Sequence, residues 1–323
     1  MQAYAGGNER VELKHLQALV GIADTGSFSA AAATIGTVQS NVSAHIARLE
    51  RELDTQLVDR SSGRLTDEGE VVVGRARRVM NELEAMVADV TALRQEVVGT
   101  VRLGMIGTTG RWLVPQLFDL LRLRHPHIHL NVAEGSSAQL ELQLGTGQLD
   151  LAVVTVPLSG DEVVVAQLFD EDLVLVVARD HPLGKESSLP LSRLADMELL
   201  LPAPGTALRA EIDSAVVPAR VTLRPSMELD GVRMIAALVF DGYGPAILPA
   251  TVVPGHLRER FSVIPIEGFP RRRVGVAQRR RGLPSAPVRA VIDVLGLVVR
   301  DDLAMPEGIH PSAVTTPNAP SPV

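Results

Sequence analysis

The stretch TVQSNVSAHIARLE, Thr37–Glu50, places Val42, Ile46 and Leu49 at i, i+4 and i+7, the spacing of one helical face. The opposite face carries Gln39, Ser40, Asn41, Ser43, His45 and Arg48. These are hydroxyls and amides rather than the Lys and Glu that coat an ordinary solvated helix. A surface of that kind offers many hydrogen bonds and little charge.

The flanking sequence gives this helix a context. Upstream, VELKHLQALVGIAD sets Leu13, Leu16, Leu19, Val20 and Ala23 on one face of a first helix. Ser27 then caps a short alanine-rich helix anchored by Phe28, and Gly36 ends it. Helix, short helix, turn and polar-faced helix form the helix-turn-helix pattern. Downstream, LVDRSSGRLT reads as two short strands around an SSG turn, a wing. Amides and hydroxyls on the third helix match the donors and acceptors of base edges in the major groove, where Gln pairs with adenine. Arg48, Arg60 and Arg64 are placed to hold phosphates, and Ser27 joins this set of DNA-binding candidates.

Composition sets bounds on the rest. A chain of 323 residues, 46% hydrophobic and 21% charged, builds more than one cored domain, and aromatics at 3% leave that work to aliphatic side chains. Cysteine is absent, which excludes disulfides, thiolate catalysis and cysteine-ligated metal. The start, MQAYAGGNER, lacks the apolar core of a signal peptide, and no apolar run is long enough for a membrane span. A cytoplasmic protein with no membrane partner is expected. The net charge of −7 argues against indiscriminate nucleic-acid binding by the whole surface, though not against a local patch.

Thr66 caps a long proline-free helix whose first turn is acidic. Its apolar positions, Val72, Ala76, Val79, Leu83, Met86, Val90 and Leu93, step by four and three as in a heptad seam. Such a stripe packs on the chain's own core or on a second copy. The regular 3.5-residue period favours a second copy.

Beyond Gly99, strands alternate with helices: TVRLGMIG, HIHLNVAEG, LDLAVVTV, DLVLVVARDHP, RVTLRP, PAILP and RRVGVAQRR read as strands. That grammar implies an α/β domain with a parallel, doubly wound sheet. A final helix begins near Ser285 and Pro287. The basic run PRRRVGVAQRRR reads as a strand with solvated arginine ends, and RHPHIHL as a helix end running into a strand rather than a metal site. No P-loop, GxGxxG, GxSxG or HExxH appears, so neither a cofactor nor a catalytic residue is implied.

The segment from Leu16 to Glu70 resembles the N-terminal domain of LysR-type transcriptional regulators. The resemblance lies in GSFSAAA, the Gln-Ser-x-Val-Ser run, IARLEREL and the wing leading into LTDEGE. EGSSAQLELQLGTGQLDLAVV, FDEDLVLVVARDHPL and DGYGPAILP are similar to that family's effector domain. Val38 stands where the family carries a capping Ser or Thr, which moves the cap to Thr37, and Ala44 stands where a basic residue is common.

The resemblance implies a winged helix-turn-helix at 11–66, a dimerising linker helix at 67–95 and a two-lobed, periplasmic-binding-protein-like effector domain. Lobe 1 is expected at 100–165 and 270–302, lobe 2 at 166–269, and loose tails at 1–10 and 303–323. It implies a homodimer or homotetramer on an imperfect DNA palindrome, with RNA polymerase as a further partner. The alternative is a solute-binding or enzymatic α/β domain that carries the helix-turn-helix only for control. In a doubly wound domain, ligands bind beyond the carboxyl ends of the strands. Thr108, Thr109, Ser136, Ser137, Thr155 and Thr206 stand at such ends, where hydroxyls and helix N-termini suit a small organic anion.

Overall fold

The computed structural model describes residues 11–94, 96–300 and 305–312. They fall into two units, one running to Glu96 and including 142–149, the other comprising the remainder.

In the first unit, α1 (Leu13–Thr25) stops at Gly26, whose φ of 72° is the left-handed conformation that glycine adopts without a Cβ clash. The Ser27 hydroxyl accepts from Ala30 N and starts α2 (Phe28–Thr34). The next helix, α3 (Gln39–Leu53), begins two residues later than Thr37, with Val38 at the cap position and no side-chain cap. Thr37 takes another part: its hydroxyl accepts from Asn41 Nδ2 at 2.9 Å. Val42, Ile46 and Leu49 are fully buried with Leu19, Ile22 and Ala31 in one core. The two wing strands reduce to a single antiparallel bridge, Val58 to Leu65. Asp59 holds the turn instead, accepting from Ser61 N and from the Ser61 and Ser62 hydroxyls. Those donors pull its carboxyl down to about 2.

Thr66 caps α4 (Asp67–Ala92), and Asp67, Glu68 and Glu70 complement the dipole of its first turn. A Cβ on Gly69 would lie 2.1 Å from the Leu57 carbonyl oxygen, so only glycine lets this turn close on the wing. Arg77 pairs with Asp24 and ties α4 to α1.

The second unit has two sheets. Lobe 1 is built from β1 (Gly99–Met105), α5 (Gly107–Arg124), β2 (Ile128–Glu134), α6 (Ser137–Gly145), β3 (Leu151–Val156) and β4 (Val163–Glu171). Lobe 2 follows as β5 (Leu173–Ala178), β6 (Leu189–Pro190), β7 (Glu198–Pro202), α7 (Ala207–Val216), β8 (Arg224–Leu229), α8 (Val232–Phe240), β9 (Ala246–Pro249) and β10 (Phe261–Glu267). The chain returns to lobe 1 with β11 (Arg272–Arg279), α9 (Ala286–Val298) and β12 (Ile309–Pro311). The strand orders are β12-β4-β11-β3-β1-β2 and β6-β10-β5-β9-β7-β8.

Four expectations change. The sheets are mixed rather than wholly parallel: β1 runs parallel to β2 and β3, whereas β11 is antiparallel to β3 and β4. A chain that leaves for the second lobe along β4 and returns along β11 must lay those strands in opposite senses. All of β4 therefore belongs to lobe 1, and the lobe boundary moves from residue 166 to Asp172. The strand placed at RVTLRP begins later, at Arg224, where it pairs with β7. The expected C-terminal tail contains β12, paired antiparallel with β4 and fixed by buried Ile309. The remaining tail positions, 1–10, 301–304 and 313–323, lie outside the described residues.

Candidate functional site

The outer face of α3 is presented to solvent by the buried Val42, Ile46 and Leu49 beneath it. Gln39, Ser40 and Asn41 are exposed, and Ser43 is half-buried. Gln39 Oε1 accepts from the Ser29 hydroxyl at 3.3 Å, which orients its amide. Ser27 is occupied as the cap of α2. His45 turns toward α1, its ring 5.5 Å from that of buried His15. Burial lowers its pKa and the neighbouring His15 adds to the effect, so the charged form of this imidazole is disfavoured.

The cations differ in availability. Arg48 pairs with Glu52 at 3.2 Å, and Arg60 with Glu50 at 3.0 Å. Glu50 also accepts from the amides of Leu57 and Val58, so the Arg60 pair belongs to the frame of the wing. Arg64 is exposed and forms no ion pair among the described residues.

The apolar stripe of α4 divides. Ala76 is 1% exposed and Val72 is half-buried, both packed against the helix-turn-helix core. They leave the expected seam because the first turns of α4 rest on α1. Val79, Leu83, Met86, Val90 and, just past the helix end, Leu93 stay exposed, together with Val87.

A cleft of about 830 Å³ lies between the two lobes of the second unit. Thr108, Ser136, Ser137, Thr155 and Thr206 line it. Thr109, one residue around α5, is fully buried away from it. Four helices begin at its wall: α5 at Gly107, α6 at Ser137, α7 at Ala207 and α8 at Val232. First-turn amides have no intrahelical partner and sit at the positive end of the helix dipole, so four such ends attract an anion.

Several hydroxyls are already engaged. Ser136 and Gln139 exchange cap bonds at 3.3 and 3.0 Å, a capping box. Ser137 Oγ lies 2.9 Å from Thr155 Oγ1 and accepts from Thr155 N. Thr206 donates to the Ala203 carbonyl at 2.8 Å. Thr108 is 6% exposed as a residue, and its hydroxyl has no hydrogen bond among the described residues.

The charged lining was not foreseen. Glu134, Glu211, Asp230, Arg233 and Arg272 all face the cleft. Glu134 from lobe 1 and Arg233 from lobe 2 meet across it at 2.9 Å. Arg272 is not a solvated strand end: its side chain is 6% exposed, and its Nε lies 2.9 Å from Oε2 of fully buried Glu171. Neither atom has an aligned hydrogen bond. Glu171 Oε1 accepts instead from Thr251 N and Oγ1 at 3.0 and 2.5 Å. Around this floor the chain crosses between lobes, where Asp172 pairs with Arg271 at 2.9 Å and His310 at 3.0 Å.

Among known families, the bacterial regulatory helix-turn-helix of the lysR family matches residues 13–70, and the LysR substrate binding domain matches residues 94–298. A probable hydrogen peroxide-inducible genes activator of Streptomyces viridosporus is 32% identical over 90% of this chain and 95% of its own. The DNA-binding transcriptional dual regulator OxyR of Escherichia coli K12 is 27% identical over 90% of this chain and 95% of its own. In structure, a full-length OxyR of Pseudomonas aeruginosa with one cysteine changed to aspartate is similar at a TM-score of 0.75 and 26% identity, covering 96% of this chain and 99% of that one.

Proposed function

We infer the working of this chain from its family: it belongs to the LysR-type transcriptional regulators, and is a ligand-responsive, DNA-binding transcription regulator. Its mechanism, as we read it, makes and breaks no covalent bond. A small molecule enters the inter-lobe cleft and shifts the angle between the lobes. The shift is relayed to the helix-turn-helix, and the equilibrium moves only by the ligand's preference for one lobe arrangement over the other. The exposed half of the α4 stripe, Val79 to Leu93, pairs with a second copy, and two recognition helices then read an imperfect palindrome in the cytoplasm. The effector carries an organic anion, supported by the four helix N-termini at the cleft wall.

Several relatives are named for induction by hydrogen peroxide. With no cysteine in the chain, sensing by thiol oxidation is excluded, and the signal is assigned to the cleft.

The observation that carries the DNA reading is the exposed row of amides and a hydroxyl at Gln39, Ser40 and Asn41, held outward by a fully buried opposite face. It is tested by comparing Gln39→Ala with Arg64→Ala on operator and random duplexes over a salt series. Gln39→Ala is expected to cost about 1–3 kcal/mol on the operator alone. Arg64→Ala should weaken both duplexes alike and lower the salt slope by about one. Equal losses by both variants on both duplexes would remove the division between base reading and phosphate holding.

A further inference from the structure

Four helix ends account for an anion in the cleft, but they leave its acids without a purpose. Glu211 enters from the second turn of α7, and its Oε2 is closed off from solvent with no hydrogen-bond partner. Burial pushes its carboxyl up, Arg272 opposes that and Glu171 reinforces it. Asp230, just ahead of α8, lines the same lobe. Of the buried ionisable atoms at this floor, Glu171 Oε2 and Arg272 Nε face each other at 2.9 Å as an ion pair, which leaves Glu211 Oε2 without a partner. Buried polar groups are nearly always satisfied, so an unanswered carboxylate oxygen beside an open cleft marks a place where an occupant supplies what is missing.

The occupant's chemistry follows from what each part of the lining lacks. The helix N-termini and the Thr108 hydroxyl, which lines the cleft without a partner among the described residues, suit an anionic oxygen. Glu211 has only acceptor oxygens when ionised, so it needs a donor, and a cation serves best because it also lowers the cost of ionising a desolvated carboxyl. A plain carboxylate would leave Glu211 unanswered and set a second negative group near it. A plain cation would leave the helix ends unanswered and face Arg272 and Arg233.

We propose that the effector of this cleft is a small zwitterion, its carboxylate held at the helix N-termini and its protonated amine donating to Glu211. The proposal rests on the reading of the cleft as the effector site.

The test uses the full chain and three matched series of probes: L-amino acids, the same acids without the amino group, and the corresponding 2-hydroxy acids. Thermal shift finds a binder and calorimetry measures it. At least one amino acid should bind, with its des-amino and hydroxy counterparts tenfold or more weaker. Glu211→Gln should weaken that amino acid by at least tenfold while narrowing its advantage over the hydroxy acid. The variant removes a desolvated charge rather than a packing group, so it should fold, and Glu211→Ala provides a second variant.

Des-amino or hydroxy acids that bind as tightly as the amino acid would overturn the zwitterion, as would unchanged selectivity in Glu211→Gln. In either case, binding accompanied by altered operator affinity would keep the cleft as effector site and remove only the role of Glu211. No binding by any series would overturn the zwitterion and the cleft reading together.

Discussion

Replacing Arg272 by Met strands a carboxylate beneath the cleft. Glu171 is fully buried; Thr251 donates to its Oε1, and its Oε2 faces the Arg272 Nε at 2.9 Å. Removing one partner of a buried pair costs about 3–5 kcal/mol, because the remaining charge stays dehydrated without its counterion. Arg272→Met is therefore expected to lose that much from the unfolding of the effector domain. Glu171→Gln should lose less, since Arg272 still has Glu211 close enough to act on. The double variant removes both charges and should return to within about 1–2 kcal/mol of the parent, since apolar replacements of buried pairs are often near neutral. Urea unfolding followed by the fluorescence of Trp112, the chain's one tryptophan, reports on this domain, because the indole packs edge-on against Phe169 at 5.7 Å. A loss below about 1 kcal/mol in Arg272→Met would refute the reasoning, because the contact would then be no buried pair in the sense used here. So would a double variant as unstable as the single.

Leu83→Asp with Met86→Asp puts charge on the exposed half of the α4 stripe. Light scattering should show the assembly falling to single chains without loss of helical content, and an unchanged mass would mean that this stripe is not the contact. Gly69→Ala drives a Cβ into the Leu57 carbonyl oxygen at 2.1 Å; by the usual cost of overpacking it should destabilise the N-terminal domain by about 1–3 kcal/mol or more, read by chemical denaturation. Glu211 supplies a pH signature. Its folded pKa lies above 4.5, so the folded state holds more protons than the unfolded one just above that pH, and stability from this group falls as pH rises through the window. Glu211→Gln lacks the loss, and its melting temperature should gain on the parent's as pH rises from 4.5, whereas parallel curves would show that Glu211 does not titrate abnormally.

The recognition helix was legible because it obeys one period and its buried face is wholly aliphatic. The cleft threonines and serines were legible because ligand crevices in α/β domains form at strand ends. Thr108 and Thr109 show where that reasoning stops: a one-residue step turns a side chain by about 100° around a helix, from the cleft into the core. Arg272 was hidden by its neighbours. In a run of three arginines the sequence shows a basic patch, yet strand alternation buries Arg272 and leaves Arg271 and Arg273 exposed. Glu211 sits in an unremarkable amphipathic helix, and only the fold brings it near Arg272 and closes its Oε2 off from solvent. Val72 and Ala76 continue the heptad of α4 in sequence, but α1 reaches them before a second copy does. Val38 at the start of α3 shows that a helix held by tertiary packing does without a side-chain cap.

The chain passes between the lobes twice, at Asp172 and just before Arg272, and Asp172 and Arg271 pair where the two passages meet. The short β12 strand adds a stop. Gly308 accepts from the Asp172 amide, His310 reaches the Asp172 carboxylate, and the strand itself lies along the outer edge of β4. Any rotation about Asp172 must therefore drag or detach the end of the chain. The crossing is thus braced by residues more than a hundred positions away in the sequence.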